Sequence, residues 1–470
     1  MHPGSLPPAS LHAAEALLPA GIAQDVRIAW DEGGWISRIE AGVAPAPDEP
    51  RAAFALPGLA NLHSHAFQRA MAGLAERRGP PEVRLADGGA DTFWTWRQVM
   101  YRFVARMTPD LARAVAAFLY AEMLEQGFCA VAEFHYLHHQ PDGTPYDNPA
   151  EMALAHIAAA REAGIGMTML PVLYRFGGIF EVPAHAGQKP FLCDPELYFR
   201  IVDRTRDALA HDANAAWGYA PHSLRACGPA DIAALAEAAR AMAVPIHIHA
   251  AEQAREVEEC VAATGLRPVR WLLDHADPDA RWVMIHATHL DQSEVRDLAA
   301  CGAVAGLCPT TEANLGDGIF PLPAFLAAGG VVGVGTDSHV GTGPRGELRA
   351  LEYSQRLAVR QRAVVSSDEV PSVGVSLVQA AVRGGAQASG RKLGGLAAGQ
   401  RADVVTLDVE HPALVGRRGA EVVDSWLFSG EGNPVDGVWV GGRQVVAGGR
   451  HLGRERLGQG FARAMRGLAG

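Results

Sequence analysis

Apolar positions along the chain are grouped in short runs, which alternate with longer stretches that have helical spacing. Each run is bounded by glycine, proline or polar residues and has the length of one buried strand. The runs span residues 54–65, 130–137, 166–174, 216–224, 244–252, 282–289, 303–311 and 331–339. Eight strand–helix units over roughly 340 residues predict a parallel (β/α)8 TIM barrel with its helices outside, an α/β fold.

Two of the intervening segments have clear helix boundaries. One begins at Thr108-Pro109 and ends at Gly127, and the other begins at Asn148-Pro149 and ends at Gly164. A capping residue, proline in the first turn and glycine after the last turn are typical helix signals. A doubly wound open sheet is the alternative, but no G-x-G-x-x-G motif follows the first predicted strand.

The two ends of the chain have a different pattern. Residues 10–50 and 400–450 alternate apolar and polar positions as strands do, with turns at glycines. We therefore predict that both ends fold together into a small β-sandwich beside a distorted barrel. The expected domains are residues 1–55 (first part of the sandwich), 56–393 (barrel) and 394–470 (second part of the sandwich and a tail).

Composition narrows the classes of function. The net charge of −11 argues against non-specific nucleic-acid binding, which needs a basic face. The six cysteines include no C-x-x-C pair, which indicates reduced thiols. No apolar stretch approaches the ~18 residues of a membrane span, and the first residues do not have the pattern of a signal peptide. We expect a soluble cytoplasmic protein with neither nucleic-acid nor membrane partners.

Histidines and an aspartate lie where several predicted strands end. His63 and His65 end the first strand, His249 the fifth, His286 the sixth and Asp337 the eighth. Active sites of (β/α)8 barrels lie at this face, and residues i and i+2 of a strand point to the same side. Hydrogen-bonded core histidines would explain one such motif alone. The convergence of several strand ends instead predicts a shared cation, because buried charges need a partner.

The motifs PGLANLHSH, HIHAAE, HATH and GTDSH together resemble the amidohydrolase superfamily, in its cytosine/guanine deaminase-like branch. This resemblance covers almost the whole chain and implies that one divalent metal ion is bound by His63, His65, His249 and Asp337. The ligand set suits Zn²⁺, although iron, manganese or nickel would also accept it. The fourth predicted strand ends in PHSLR, without the lysine of binuclear members, which supports a single metal.

The same resemblance implies catalytic roles for three residues. Glu252 would transfer protons, His286 would polarise the attacking water or the substrate, and Asp337 would accept a proton from that water. His247 faces the same side as His249 but lies deeper, and we interpret it as structural.

Further stretches resemble the formimidoylglutamate deiminase family, which converts N-formimino-L-glutamate and water to N-formyl-L-glutamate and ammonia in histidine degradation. They are NLHSHAFQRAMAGLAE (61–76), FWTWRQVMYR (93–102), AVAEFHYLHH (130–139), HSLRA (222–226), ATHLDQSEV (287–295) and GLCPTTEANLGDGIFP (306–321). The residues that match the family's substrate contacts are Gln68, Arg97, Tyr136, His222 and Arg225. The segment 77–91 is longer and more polar than the rest of the resemblance requires.

The physical chemistry of these residues agrees with that substrate. Glutamate carries two carboxylates, for which the planar, permanently charged guanidinium groups of Arg97 and Arg225 are suitable partners. Tyr136 ends the second predicted strand and could donate a hydrogen bond, whereas Gln68 could also be a surface amide at a helix start.

Alternatives remain at several points. His135, His138 and His139 could form a second metal site, but adjacent loop histidines are more often solvated. Cys308 is interpreted as a packed thiol, because no adjacent base marks it as a nucleophile. A deaminase of a purine, pyrimidine or related ring would require an aromatic wall and amide contacts, and a catalytically inactive scaffold would not require the complete ligand set. Related barrels are often dimers, so a homodimer is expected by analogy.

Overall fold

A computed structural model describes residues 9–85 and 89–469. The strands are β1 (Ala9–Leu18), β2 (Gly21–Trp30), β3 (Ile36–Glu40), β4 (Arg51–Pro57), β5 (Leu59–Ser64), β6 (Phe128–His135), β7 (Gly166–Leu173), β8 (Ala215–Trp217), β9 (Ala220–Pro221), β10 (Ile246–Ala250), β11 (Trp282–His286), β12 (Val304–Leu307), β13 (Val331–Val334), β14 (Val404–Leu407), β15 (Val435–Val440), β16 (Arg443–Ala447) and β17 (Arg450–His451).

The helices are α1 (Pro81–Leu85), α2 (Phe93–Val104), α3 (Pro109–Gln126), α4 (Glu151–Ala163), α5 (Pro195–Leu209), α6 (Pro229–Met242), α7 (Ala254–Thr264), α8 (Pro268–His275), α9 (Gln292–Ala300), α10 (Pro309–Leu315), α11 (Leu322–Ala327), α12 (Pro344–Val359), α13 (Val373–Ser389), α14 (Ala420–Phe428) and α15 (Arg454–Ala469), with 3-10 helices at Ala66–Met71 and Ala186–Phe191. Helix α1 occupies part of the segment 77–91, of which residues 86–88 lie outside the described residues.

The middle of the chain forms the predicted parallel barrel. Strands β5 to β8 pair in sequence order, and so do β10 to β13. A bridge between Tyr219 and Ile246 joins the two groups on one side, and a bridge between Ser64 and Asp337 joins them on the other. The fourth strand is interrupted, because β8 and β9 pair separately with β7. The prediction of a distorted (β/α)8 barrel is therefore confirmed.

The two ends of the chain fold together, as predicted, through one continuous eight-stranded sheet. Its order is β17-β16-β15-β14-β4-β1-β2-β3, so the antiparallel pair β14–β4 joins the C-terminal strands to the N-terminal ones. The pair β1–β4 is parallel. Val26, Ile28, Ala55 and Val404 belong to one buried cluster within this sheet, which ties the two ends together by packing as well as by hydrogen bonds.

The predicted first strand, residues 54–65, is in fact two strands in two sheets. Strand β4 belongs to the terminal sheet and β5 to the barrel, with Gly58 between them. A Cβ atom at Gly58 would lie 2.5 Å from Sγ of Cys129, so only glycine lets the chain pass this close to β6. The apolar run is continuous because both strands are buried, and it therefore contains no signal of the change of sheet.

Helix boundaries follow local chemistry closely. Helix α3 begins after Thr108, whose side chain accepts a hydrogen bond from the Leu111 N–H, and it ends at Gly127 with φ of 102°. Helix α4 ends at Gly164 as predicted but begins at Glu151, later than predicted. The Asn148 carbonyl and side chain accept bonds from the Glu151 and Ala150 N–H groups, so a turn occupies the predicted first positions.

None of the helices in the described part of the chain has the length and apolar character needed to cross a membrane. All six cysteines are free, and Cys308 is fully buried in the barrel, where burial raises the pKa of its thiol well above the usual range. This environment agrees with a packed thiol.

Candidate active site

Three imidazole rings converge at the C-terminal ends of the barrel strands. Nε2 of His63 lies 3.1 Å from Nε2 of His65 and 3.0 Å from Nε2 of His249. Oδ1 of Asp337 lies 3.3 Å from Nε2 of His65 and 3.7 Å from Nε2 of His63. The residues predicted as metal ligands are therefore brought together.

In two of these rings, Nδ1 is hydrogen-bonded to the backbone, which leaves Nε2 to face the centre of the cluster. Nδ1 of His65 donates to the carbonyl of Phe134 at 2.8 Å, and Nδ1 of His249 donates to the carbonyl of His222 at 3.0 Å. Each ring then presents an unprotonated Nε2 lone pair to the common point. Lone pairs this close repel unless a cation lies between them, so the donor set fits a metal ion.

Burial keeps these imidazoles neutral. It lowers the pKa of His65 to about 4 and the pKa values of His63 and His249 well below the usual range, with further lowering by neighbouring histidines. A neutral imidazole is the form that binds a metal. Burial also raises the pKa of Asp337 to about 7, and a divalent cation beside this carboxylate would lower it again.

His286 lies beside this cluster and is surrounded by carboxylates. Its Nε2 is 3.8 Å from Oε1 of Glu252 and 3.8 Å from Oδ2 of Asp337, and its Nδ1 is 3.2 Å from Oε1 of Glu312. Burial disfavours the charged ring, but the three carboxylates outweigh burial and raise the pKa of His286 to about 10. Sequence reasoning missed Glu312, although it lies in the stretch 306–321 at the end of the seventh barrel strand.

Glu252 is paired with one of the predicted substrate-binding residues. Its Oε2 accepts a hydrogen bond of 2.7 Å from Nη2 of Arg225. A second carboxylate, Glu256, lies 3.7 Å from Nε of Arg225 and accepts bonds from the N–H groups of Ala251 and Glu252. Glu256 was also missed, and the only signal was its place one turn after Glu252 in a helical pattern.

Arg97 lies on α2 and has a different setting. Its Nε and Nη2 donate to the hydroxyl of Tyr101 at 3.1 and 2.7 Å. Its guanidinium carbon lies 5.0 Å from the centre of the Trp94 ring. Among the residues that the structure describes, no carboxylate forms an ion pair with Arg97.

A cavity of about 550 Å³ connects these groups. Of the predicted residues it is lined by His65, Gln68, Arg97, Tyr136, His222, Arg225, His249, Glu252 and Asp337. Nε2 of Gln68 donates to the Tyr136 hydroxyl at 2.8 Å, so both side chains are buried in the wall and Gln68 is not a surface amide.

Three of the other histidines discussed above, His138, His139 and His247, are held by backbone carbonyls. Nε2 of His138 pairs with the carbonyl of Val172 at 2.7 Å, that of His139 with Leu192 at 2.6 Å and that of His247 with Ala388 at 2.8 Å. The ring of His135 packs edge-on against that of His138, with centroids 5.6 Å apart, and belongs to a buried group with Glu133 and His156. His135, His138 and His139 are all buried, so the expectation that these histidines are solvated was wrong.

Two family models and several known proteins are similar in sequence to this chain. Residues 54–445 match the model of the amidohydrolase family, and residues 9–53 match that of the formimidoylglutamate deiminase HutF N-terminal domain. A formimidoylglutamate deiminase of Pseudomonas aeruginosa is 46% identical over 97% of this chain and 98% of its own length. A 5-methylthioadenosine/S-adenosylhomocysteine deaminase of Natronomonas pharaonis is 29% identical over 83% of this chain and 81% of its own length.

Solved structures show the same fold. An amidohydrolase from Brucella melitensis superimposes with a TM-score of 0.93 at 49% identity and covers 98% of this chain and 100% of its own. An adenosine deaminase from Xanthomonas campestris with bound zinc has a TM-score of 0.79 at 20% identity, with 98% of both chains covered. By these matches over nearly its whole length, the chain belongs to the amidohydrolase family and, within it, to the formimidoylglutamate deiminases.

Proposed function

We propose that the protein hydrolyses N-formimino-L-glutamate to N-formyl-L-glutamate and ammonia in histidine degradation. The observation that carries this proposal is one cavity whose wall holds both a metal-type cluster and the guanidinium groups of Arg97 and Arg225. The metal-type cluster serves hydrolysis, and the two guanidinium groups suit a substrate with two carboxylates. The name of the Pseudomonas aeruginosa relative supports the same reaction.

His63, His65, His249 and Asp337 would hold a single divalent ion, for which we propose Zn²⁺. Three neutral imidazoles and one carboxylate suit zinc, and the Xanthomonas campestris adenosine deaminase has zinc bound. When bound, such an ion supplies hydroxide near neutral pH by lowering the pKa of a water molecule.

The protein's own groups would move the protons. Asp337 accepts a proton as the water oxygen adds to the formimino carbon, and Glu252 delivers a proton to the terminal nitrogen. Asp337 then gives its proton to that nitrogen while Glu252 takes up the hydroxyl proton, so the bond between carbon and nitrogen breaks, ammonia leaves, the formyl C=O forms and both carboxyl groups regain their starting protonation. His286, kept protonated by its carboxylate neighbours, stabilises negative charge on the oxygen.

The substrate would be held by the residues around the cavity, namely Gln68, Arg97, Tyr136, His222 and Arg225. Before substrate binds, Nη2 of Arg225 forms an ion pair with Oε2 of Glu252 at 2.7 Å. A substrate carboxylate would compete for this guanidinium, so binding would also free Glu252 for proton transfer.

Ammonia release tests the reaction directly. N-formimino-L-glutamate, N-formimino-L-aspartate, guanine and cytosine are compared at equal concentrations with the zinc-loaded protein. We expect turnover of the formimino-glutamate far above that of either base. No ammonia from this substrate, with intact metal content, would disprove the proposal.

A second candidate is deamination of a purine-type ring. Phe93, Trp94 and Tyr174 line the cavity and could stack on a base, and the Natronomonas pharaonis relative is named for such substrates. Adding 5-methylthioadenosine to the same assay separates the two, because a ring deaminase would prefer it to the formimino acid.

We infer further that the protein acts in the cytoplasm as a homodimer on a small dicarboxylate, without nucleic-acid or membrane partners. Free cysteines and a net charge of −11 support the compartment and the absence of nucleic acid. We also propose that the domain boundaries lie near residues 55 and 393. Light scattering coupled to size exclusion tests the dimer.

A further inference from the structure

Tyr101 receives two hydrogen bonds from one arginine. It lies one helical turn after Arg97 on α2, and its hydroxyl oxygen accepts from both Nε and Nη2 of that residue. The ring is fixed by an edge contact with His185, at a centroid distance of 5.1 Å, and by a tilted contact with Phe191, at 6.2 Å. Arg97 and Tyr101 therefore form one rigid unit in the cavity wall, which we call the Arg97–Tyr101 pair.

The hydroxyl of Tyr101 still has a proton to donate. A phenol group carries one donor, and both contacts with Arg97 use the oxygen as acceptor. Burial raises the pKa of Tyr101 although Arg97 opposes this, so the group stays protonated at neutral pH. Within residues 9–85 and 89–469 no acceptor for this proton is found, and the side chain borders the cavity.

The chemistry of the pair suits a carboxylate. The guanidinium supplies a positive charge without an acidic partner among the described residues, and the hydroxyl adds a neutral donor beside it. An anion that reached the pair would gain a charge-assisted hydrogen bond from Tyr101. A water molecule or an amide would gain less, because neither carries the charge.

The position of the pair indicates which carboxylate it meets. The ring of Tyr136 lies 4.9 Å from that of His65 and 4.9 Å from that of Phe191, and Phe191 in turn contacts Tyr101. Two rings thus separate Tyr101 from the imidazole cluster, whereas Arg225 touches Glu252 directly. With the formimino group at the cluster, the side-chain carboxylate reaches farthest from it.

We propose that Tyr101 is a further substrate-binding residue, whose hydroxyl donates a hydrogen bond to the side-chain carboxylate of N-formimino-L-glutamate beside Arg97. The proposal rests on the proposed function above. It makes Tyr101 a determinant of specificity for a dicarboxylate over its side-chain amide.

Tyr101→Phe tests the contact with two substrates, N-formimino-L-glutamate and N-formimino-L-glutamine. We expect kcat/KM for the glutamate derivative to fall about 10- to 100-fold, mainly through KM, and that for the glutamine derivative to fall less than about 5-fold. Tyr353→Phe is the matched control, because Tyr353 also lies beside an arginine, Arg356, but outside the cavity wall. Equal losses on both substrates would overturn the proposal.

A second variant separates direct contact from an effect through Arg97. If Tyr101 only orients the arginine, Tyr101→Phe changes nothing further in an Arg97→Met background; if it touches the carboxylate, KM rises again in the double variant. Retained kcat and zinc content report that the variants fold. An unmodified protein that releases no ammonia from either substrate would refute the function, whereas an active protein with unaffected Tyr101→Phe would refute only this contact.

Discussion

At the scale of single residues, the candidate site places similar carboxylates in dissimilar surroundings. Asp337 faces three imidazoles, Glu252 faces a guanidinium, and Glu312 supports the far nitrogen of His286. An acid beside buried imidazoles and an acid beside an arginine hold their protons differently, which permits separate roles in one reaction. Two substitutions separate these roles.

Glu252→Gln is expected to keep bound metal and lose turnover by about 10²- to 10⁴-fold, because the amide cannot transfer a proton. Ammonia release and metal content by mass spectrometry measure the two effects on the same sample. Gln253→Glu is unsuitable as the control for this variant. Gln253 donates a hydrogen bond to Asp317, and a glutamate at this position would place a second negative charge beside it. Full activity of the Glu252 variant would contradict its assigned role.

Asp337→Ala is expected to reduce metal content as well as rate, because its Oδ1 lies within 4 Å of two imidazole nitrogens of the cluster. Asp368→Ala, at an exposed position, is the matched control and should retain both. Metal per chain after dialysis is the measurement. A variant that keeps a full equivalent of metal would exclude Asp337 from the ligand set.

At the scale of elements, sequence patterns predicted what depends on near neighbours. The ends of α3 follow from Thr108 and Gly127, and the barrel strands follow from apolar runs. Glu312 was missed because its partner His286 lies on another element. Glu256 and Tyr101 were missed because polar residues on a helix are usually solvated. The left-handed backbone of His286, with φ of 68°, and of Asp337, with φ of 48°, likewise has no sequence signal.

Gly58→Ala is expected to destabilise the protein by about 1–3 kcal/mol, because the added carbon would meet Sγ and Cβ of Cys129 at 2.5 and 2.7 Å. Gly460→Ala on α15, with no atom within 4 Å of the added carbon, should be neutral or slightly stabilising. Urea unfolding compares the two. Equal stability of both variants would show that the crossing between the sheets tolerates a side chain.

At the scale of the whole molecule, the terminal sheet is held by charge as well as by its strands. Arg27 of β2 donates from Nε to both oxygens of Glu49, at 2.8 and 3.1 Å, and the Ala46 N–H donates to the same carboxylate at 3.0 Å. The hydrogen bonds from Arg27, with those from Ser10 and Ala46, lower the pKa of Glu49 to about 2. The side chain of Glu49 is only 2% exposed, so this pair is better shielded than a surface ion pair.

Glu49→Gln is expected to lower the melting temperature by a few degrees at pH 7. Because the folded pKa is depressed, this stabilisation is present above the ordinary pKa of 4.5 and fades as pH falls from there toward 2. Melting curves of both proteins should therefore converge over that range, whereas Glu32→Gln, at an exposed turn, should change nothing. A constant difference at all pH values would contradict the linkage.

The pairing of β4 with β14 also sets an order of events during synthesis on the ribosome. Strand β4 emerges early, but its partner is made only after the entire barrel, and β1 offers it the single pairing available meanwhile. Until β14 is made, one edge of β4 remains unpaired. A nascent chain truncated before residue 404 would thus contain every group of the candidate site and yet expose an unpaired strand edge, which makes it a natural substrate for chaperones.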